Sequence, residues 1–429
     1  MHTAEAVKST MAPVSAEERE YLRNLAKKYR EYSELPVMAE RRKRWYAHNA
    51  LKSRTPMIVM ETNSFAADFL PPLRCEHPEA ARIERKLLEP ILNHELVDDD
   101  KVIEPWIGVE WDIRHKEFDL TIARTTAKDA RGENLGYHDE NPIEDLARDM
   151  HIVKPSVFSV DRDRTAARVA FAEDILGDIL DVRIVNRSVE WYLSLSAKFI
   201  KLMGMERYFM ALIDTPEKVK DLYTFMVADA RRFFRWMEDE KLLTLNNGNH
   251  YAGAGSYGFT DELPKRGSSI DSGVKTPDIW VNMNSQETVS VSPEMYGDII
   301  YPAYHELAKD FGLVYYGCCE PVHPIWDSHL SHLPNLRKVS ISAWCDEAFM
   351  GERLSGSKVI YSRKPDPTLI GVGAFDEARF REHMKKTLDS ARGCTLEVIF
   401  RDIYSLCGER GRPGKAVKIL RGMLADRQY

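Results

Sequence analysis

Cysteine is scarce: six residues in 429, at positions 75, 318, 319, 345, 394 and 407, with no even spacing. That excludes a disulfide framework and points to reduced thiols. No run of about 18 apolar residues occurs, so no membrane-spanning helix is expected. The first twenty residues lack the apolar stretch of a signal peptide, and a cytoplasmic protein is expected. Basic residues are not in excess. Lys and Arg number 60 against 67 Asp and Glu, for a net charge of −7. Nucleic acid and anionic membrane surfaces are therefore not expected partners. No glycine pattern matches a dinucleotide fingerprint or a P-loop.

What is present is a large globular composition, 44% hydrophobic and 30% charged. It suits one big α/β domain or two smaller ones. Short apolar runs at 57–60, 106–111, 157–160, 182–185, 242–245, 279–283, 313–316, 337–342, 358–361 and 395–400 read as buried strands. Helix signals fall between them. Ser15 opens a polar helix over roughly 15–44. Helices are also expected over 165–176, 188–203 and 415–424. Thr215 with Pro216 and Glu217, Ser292 with Pro293 and Glu294, and Asp376 each mark a helix start, and Gly312 closes the second of these. About eight strands follow the βα alternation, the number of a closed (β/α)8 TIM barrel. A doubly wound open sheet is the alternative. The expected organisation is an N-terminal tail and helix over 1–50 and a barrel over 51–429. Residues 62–150 form an insertion with hairpin content, lying lid-like over the mouth.

Polar residues recur just after strands, the end of a parallel barrel where chemistry is found. Leu313-Val314-Tyr315-Tyr316-Gly317-Cys318-Cys319-Glu320-Pro321 is the densest case. Zinc favours thiolate and imidazole and accepts carboxylate, so Cys318, Cys319 and Glu320 are candidate ligands, with Cys345, Cys407 or His323 to complete them. On an extended strand adjacent side chains face opposite ways, so only one thiol reaches a shared metal unless the chain turns there. The plainer reading is one buried thiol, one lining a pocket, and a structural glutamate. Glu320, Asp346, Lys364, Asp402 and His250 are the candidate acid–base residues. Glu397 lies inside a strand, where a carboxylate needs a partner. The loop over 246–258 is rich in Gly, Asn and Tyr. Asn246, Asn247, Tyr251, Tyr257, Trp280 and Trp344 are candidates to hold a flat apolar substrate.

Together these motifs resemble the uroporphyrinogen-decarboxylase superfamily, in its branch near the corrinoid-dependent methyltransferases. The resemblance rests on Gly317-Cys318-Cys319-Glu320-Pro321, Val339-Ser340-Ile341-Ser342-Ala343-Trp344, Ser362-Arg363-Lys364-Pro365-Asp366-Pro367, Arg401-Asp402-Ile403, Leu245-Asn246-Asn247-Gly248 and Asp261-Glu262-Leu263-Pro264. It spans roughly 40–425 and implies a (β/α)8 barrel. The decarboxylases carry an Arg-rich, Gly-containing N-terminal motif, which the region around Arg54-Thr55-Pro56-Met57 lacks. The methyltransferases often carry His-x-Cys where this chain has Gly317-Cys318-Cys319, and a further Cys near the last strand, for which Cys407 stands. The implied activity is transfer of a methyl group from a small donor, such as an aryl methyl ether, to a corrinoid on a partner protein, with zinc as Lewis acid. Two alternatives remain. One is a metal-independent decarboxylase or lyase, with Arg54, Arg363 and Lys364 gripping carboxylates and Asp402 moving a proton. The other is a binding protein that kept the barrel.

Overall fold

A computed structural model describes residues 13–128, 134–187, 189–265 and 273–427. Its centre is a parallel sheet of six strands: β1 (Met57–Met60), β2 (Trp280–Met283), β3 (Leu313–Tyr316), β4 (Leu336–Ile341), β5 (Ile360–Arg363) and β6 (Leu396–Phe400). The strand order is β1-β6-β5-β4-β3-β2, with every neighbouring pair parallel. These strands are buried along nearly their whole length because both faces are covered. One face, carrying Val281, Val314, Tyr316, Val339, Ile341, Val398 and Phe400, joins the main hydrophobic core with the surrounding helices. The period-2 alternation sends Asn282, Tyr315, Lys338, Ser340, Ser362 and Glu397 to the other face.

That second face is polar, and its charges are paired. Glu397 lies 3.3 Å from His48 and 3.0 Å from Lys338, all three fully buried. Ser256 and Ser362 donate hydroxyls to the same carboxylate, at 2.9 and 2.5 Å. The partner that a strand glutamate requires is thus supplied by a lysine two strands away and by a helix. Beneath the network, Trp45 is fully buried against Tyr257 and Phe259 and donates its indole N–H to the Asp100 carbonyl at 2.8 Å.

The hydrogen-bonded sheet is open. Both of its edges are sealed by side chains rather than by strands. At β1, the Asp100 and Asp99 carboxylates accept the backbone N–H of Ile58 and Met60, each at 2.7 Å. At β2, the Asn246 amide accepts from Trp280 N at 2.8 Å and donates to Trp280 O at 3.0 Å. A further parallel pair, Trp106–Glu110 with Asp181–Val185, stands apart from the six. A single parallel bridge joins Leu193, just beyond that pair, to Met283 of β2.

Several sequence expectations change. The expected strand at 242–245 does not form. Instead, the chain there leads into Asn246, whose side chain does a strand's pairing. The run Val157–Val160 is a strand, but it pairs antiparallel with Ile113–Lys116 and lies outside the parallel sheet. The helix expected over 15–44 is two helices, Ala16–Ser33 and Pro36–Asn49, because Pro36 lacks the N–H to continue the first and suits the first turn of the second. A helix within 188–203 begins only at Leu195. Residues 62–150 are more than a lid. Helix Pro78–Leu96 buries Ile83, Leu87 and Ile91 in a second core with the N-terminal helix, while Arg124–Lys128 and Asn134–Asp139 form an antiparallel hairpin. Among the described residues no helix is long and apolar enough to cross a membrane.

The buried network gives a stability test. Glu397→Ala strands the Lys338 ammonium without its counter-charge. A loss of about 3–5 kcal/mol is expected for breaking a buried pair from one side, read as a fall in the urea midpoint. An unchanged midpoint would show that Lys338 is neutral in the folded chain.

Candidate functional site

The C-terminal ends of β1, β3, β5 and β6 place Glu61, Cys318, Lys364 and Arg401 around one mouth. β3 stops at Tyr316, and Gly317 turns the chain with φ of +96°. Side chains at that φ are strained, so the turn favours glycine. The turn is held by Glu320. Its Oε2 accepts from Cys318 N at 2.8 Å and its Oε1 from Ser285 N at 3.0 Å. The Ser340 hydroxyl donates to the Cys318 carbonyl at 2.7 Å.

This turn overrides strand alternation. The Cys318 and Cys319 sulfurs lie 3.5 Å apart, on the same side. Cys319 is exposed, and its Sγ is 3.5 Å from Asp402 Oδ2. Cys318 is buried. A hydrogen bond from Cys319, and then the nearby Arg401 charge, hold the Cys318 thiol below its ordinary range, while the same bond pushes the Cys319 thiol up. One proton is therefore held between two sulfurs, with Cys318 the readier thiolate.

Arg401 lies within 3.3 Å of both Glu61 and Asp402 through Nε, in ion-pair range but without hydrogen-bond alignment. Its Nη1 is buried and makes no hydrogen bond. An unengaged guanidinium N–H at a strand end is a donor for an anionic substrate group. Lys364 lies just below. Its Nζ donates to the Ser362 hydroxyl at 2.5 Å, to the Ser362 carbonyl at 3.1 Å and to the Tyr315 hydroxyl. Burial lowers its pKa to about 7, opposed by the Glu397 charge.

Above the thiols opens a cavity of about 1180 Å³, with Cys319, Trp344, Trp191, Lys198 and Arg187 on its walls. Arg124 and Tyr137 of the hairpin line it as well, so part of the insertion does stand over the mouth. The other candidates divide. Asn246, His250, Tyr251, Tyr257 and Trp280 line a separate, smaller cavity, which shares Arg187 with the first. Asn246 is occupied in sealing β2, and Asn247 donates to the Leu263 carbonyl at 2.7 Å, so neither amide is available to a substrate in the expected way.

Three further assignments are corrected. Asp346 is the N-cap of helix Glu347–Leu354, accepting from Phe349 N at 3.0 Å, and stays outside the mouth. Arg363 faces the outer layer, buried against Glu347 at 2.8 Å, and Arg54 donates to the Gly393 carbonyl. Neither can grip a carboxylate at the mouth. The expected ligand set does not converge either. Both Glu320 oxygens are taken by backbone amides, and Cys407 donates to the Gly371 carbonyl on an exposed loop. Among the described residues no group of three or more His, Cys, Asp and Glu is placed to hold a metal ion. The two thiols supply only half of a tetrahedral zinc set.

Sequence reasoning did not single out Arg401, Glu61 or Tyr315 as site residues. For the first two the signal was available, since each directly follows a strand. For Tyr315 it was not, because an aromatic residue inside a buried strand reads as core. No protein-family model matches this chain, and no curated protein is found to be similar to it.

Two measurements follow from these geometries. Thiolate ultraviolet absorbance should show one group ionising below the ordinary cysteine value of about 8.5, and Cys319→Ala should move it upward. A titration that Cys319→Ala leaves unchanged would overturn the shared proton. For Lys364, the folded value near 7 lies below the unfolded value of about 10.4. Between the two, the unfolded chain binds more protons, so this group's contribution to stability rises with pH. Lys364→Met should flatten the rise in urea midpoint between about pH 7 and 9; an identical slope would place the titration elsewhere.

Proposed function

We propose that the chain is a methyltransferase that passes a methyl group from a small donor to a corrinoid carried by a partner protein. The single observation behind this reading is the Cys318–Cys319 pair, turned by Gly317 so that Cys319 reaches the wide cavity while Cys318 stays buried behind it. The sequence resemblance to the corrinoid-dependent branch supports it. In this reading the six-stranded sheet, its sealed edges and the separate parallel pair are the staves of a (β/α)8 barrel whose strands do not all hydrogen-bond.

The size of the mouth also supports it. At about 1180 Å³ it exceeds the usual small-molecule range of about 300–1,000 Å³ and has room for a cofactor presented from outside. Trp344, Tyr404 and Tyr137 are 75%, 77% and 66% exposed near this opening, an apolar rim suited to a docked protein. In the reaction, the donor's carbon–heteroatom bond breaks, its electron pair stays on the heteroatom, which gains a proton, and the methyl group passes to the reduced corrinoid of the partner, which supplies the electron pair of the new bond. This chain supplies that proton from the thiol pair, where Cys319 shares it with the Cys318 sulfur. Arg401 holds an anionic group of the donor. A cytoplasmic setting suits a site that requires reduced thiols.

A second reading has its own observation. Arg401 with an unbonded N–H, above a lysine whose pKa is near 7, is the pairing a decarboxylase or lyase of a small acid needs. Arg401 would bind the carboxylate and Lys364 would manage a proton.

One experiment separates them. Anaerobically purified protein is given reduced cobalamin and a panel of aryl methyl ethers and methylated amines, with methylcobalamin followed by absorbance. The same protein is given small carboxylic acids without cobalamin, with carbon dioxide release measured. Methylation that falls at least about 100-fold in Cys319→Ala and Arg401→Met is expected, the size of a lost acid or positioning group. Carbon dioxide release with no methylation would replace the first reading by the second.

A further inference from the structure

The smaller cavity, of about 350 Å³, lies between β2 and the separate parallel pair. Its size is at the lower end of what holds a small-molecule ligand. Its walls are aromatic, with Trp106, Tyr251, Tyr257 and Trp280 among them. Its charged side chains have partners. Arg41 pairs with Asp98, Lys86 with Glu110 and Arg187 with Glu190. Lys101 donates to Asn93 Oδ1 at 3.2 Å, and the lining's four cations, Arg41, Lys86, Lys101 and Arg187, are matched by four carboxylates, Glu89, Glu104, Glu110 and Glu190, so the walls carry no excess charge.

Asn282 is the exception to this pairing. It is 1% exposed and lines the cavity, yet both its Oδ1 and its Nδ2 lack a hydrogen-bond partner. A buried amide with neither group satisfied is costly, since each group forfeits its solvation. The neighbouring backbone packs close against it without offering a partner. A Cβ on Gly253 would stand 2.8 Å from Asn282 Oδ1 and 2.5 Å from the Tyr315 ring, so any side chain at 253 would crowd the amide. Three more polar atoms make no hydrogen bond around the same space, His94 Nδ1, His250 Nδ1 and Asn249 Oδ1. The His250 ring stacks on Trp106 with centroids 5.6 Å apart. Burial lowers the pKa of His250 to about 4, so the ring is neutral and offers one donor and one acceptor.

We propose that this cavity is a second binding site, distinct from the thiol mouth, for an uncharged planar ring bearing an adjacent hydrogen-bond donor and acceptor. A carboxamide, lactam or amidine edge has that pattern. Asn282 pairs with the edge through Oδ1 and Nδ2 together. The aromatic walls take the faces of the ring, and His250 reaches a further polar atom. The balanced charges of the walls disfavour a carboxylate of the same shape, whose charge no excess of cations would offset.

Calorimetric titration of the full chain with benzamide and with nicotinamide tests this, with benzoate as the charged isostere. Saturable carboxamide binding is expected, with benzoate at least about ten-fold weaker. Asn282→Leu, which keeps the volume, should weaken the carboxamides by about ten-fold or more, the effect of leaving a ligand's polar edge unpaired. Trp106→Ala, at the half-buried wall, is the second variant and should weaken them without touching the sheet interior. Carboxamide affinity unchanged in Asn282→Leu, or benzoate bound as well as benzamide, would overturn the proposal. So would the absence of binding at millimolar carboxamide, which would mean that the amide is satisfied by water. The cobalamin assay at the mouth reads a different site, so failure of one proposal is distinguishable from failure of the other.

Discussion

The fully buried Glu397 carboxylate is the interaction on which the sheet's interior depends. Strand alternation turns one face of six parallel strands toward polar residues, and a parallel sheet has no solvent on either side to receive them. Glu397 gathers Lys338, His48, Ser256 and Ser362 around itself. Those five residues come from β4, β5 and β6, the helix Pro36–Asn49 and the loop over 246–258. A pair of such charges gains little over an apolar core, but either one alone is severely destabilising. The network therefore ties the helix, the loop and the sheet to one register. It also reaches the mouth, because Ser362 hydrogen-bonds Tyr315 and Lys364 as well.

The edges of the sheet obey the same accounting of polar groups. A strand edge exposes backbone donors and acceptors, which must find partners wherever they are buried. Here two aspartates and one asparagine provide them. Side chains satisfy the edge while leaving a gap between β2 and the separate parallel pair, and the smaller cavity occupies that gap. An additional strand in the place of Asn246 would have paired the edge equally well and narrowed the space.

At the mouth, the decisive element is a turn. Gly317 changes the direction of the chain immediately after β3, and Glu320 fixes the change by binding two backbone amides. Glu320 is thereby removed from the chemistry its type suggests, while two thiols that an extended chain would send apart come within 3.5 Å. Arg401 and Asp402 arrive from β6, which completes a site no single stretch of sequence contains.

Much of this was legible in the residues alone. The six core strands stood out as short β-branched and aromatic runs. Ser292 and Asp376 cap the helices they were expected to cap, accepting from Met295 and Arg379 backbone amides. Glu397 was expected to need a partner, and the mouth at the strand ends was expected to carry Cys319, Lys364 and Asp402. These are properties of composition over a few residues: periodicity, capping and the cost of burying a charge. What only the tertiary structure decided is which polar groups are used up. Asn246, Asn247, Asp346, Arg363 and Glu320 have the chemistry of site residues, but their donors and acceptors are taken by backbone or by outer-layer partners. Asn282, which nothing in its sequence neighbourhood distinguishes, keeps both of its polar groups unpaired. The reason is physical: a side chain's type is local, whereas its hydrogen-bond partner is chosen by contacts tens to hundreds of residues away.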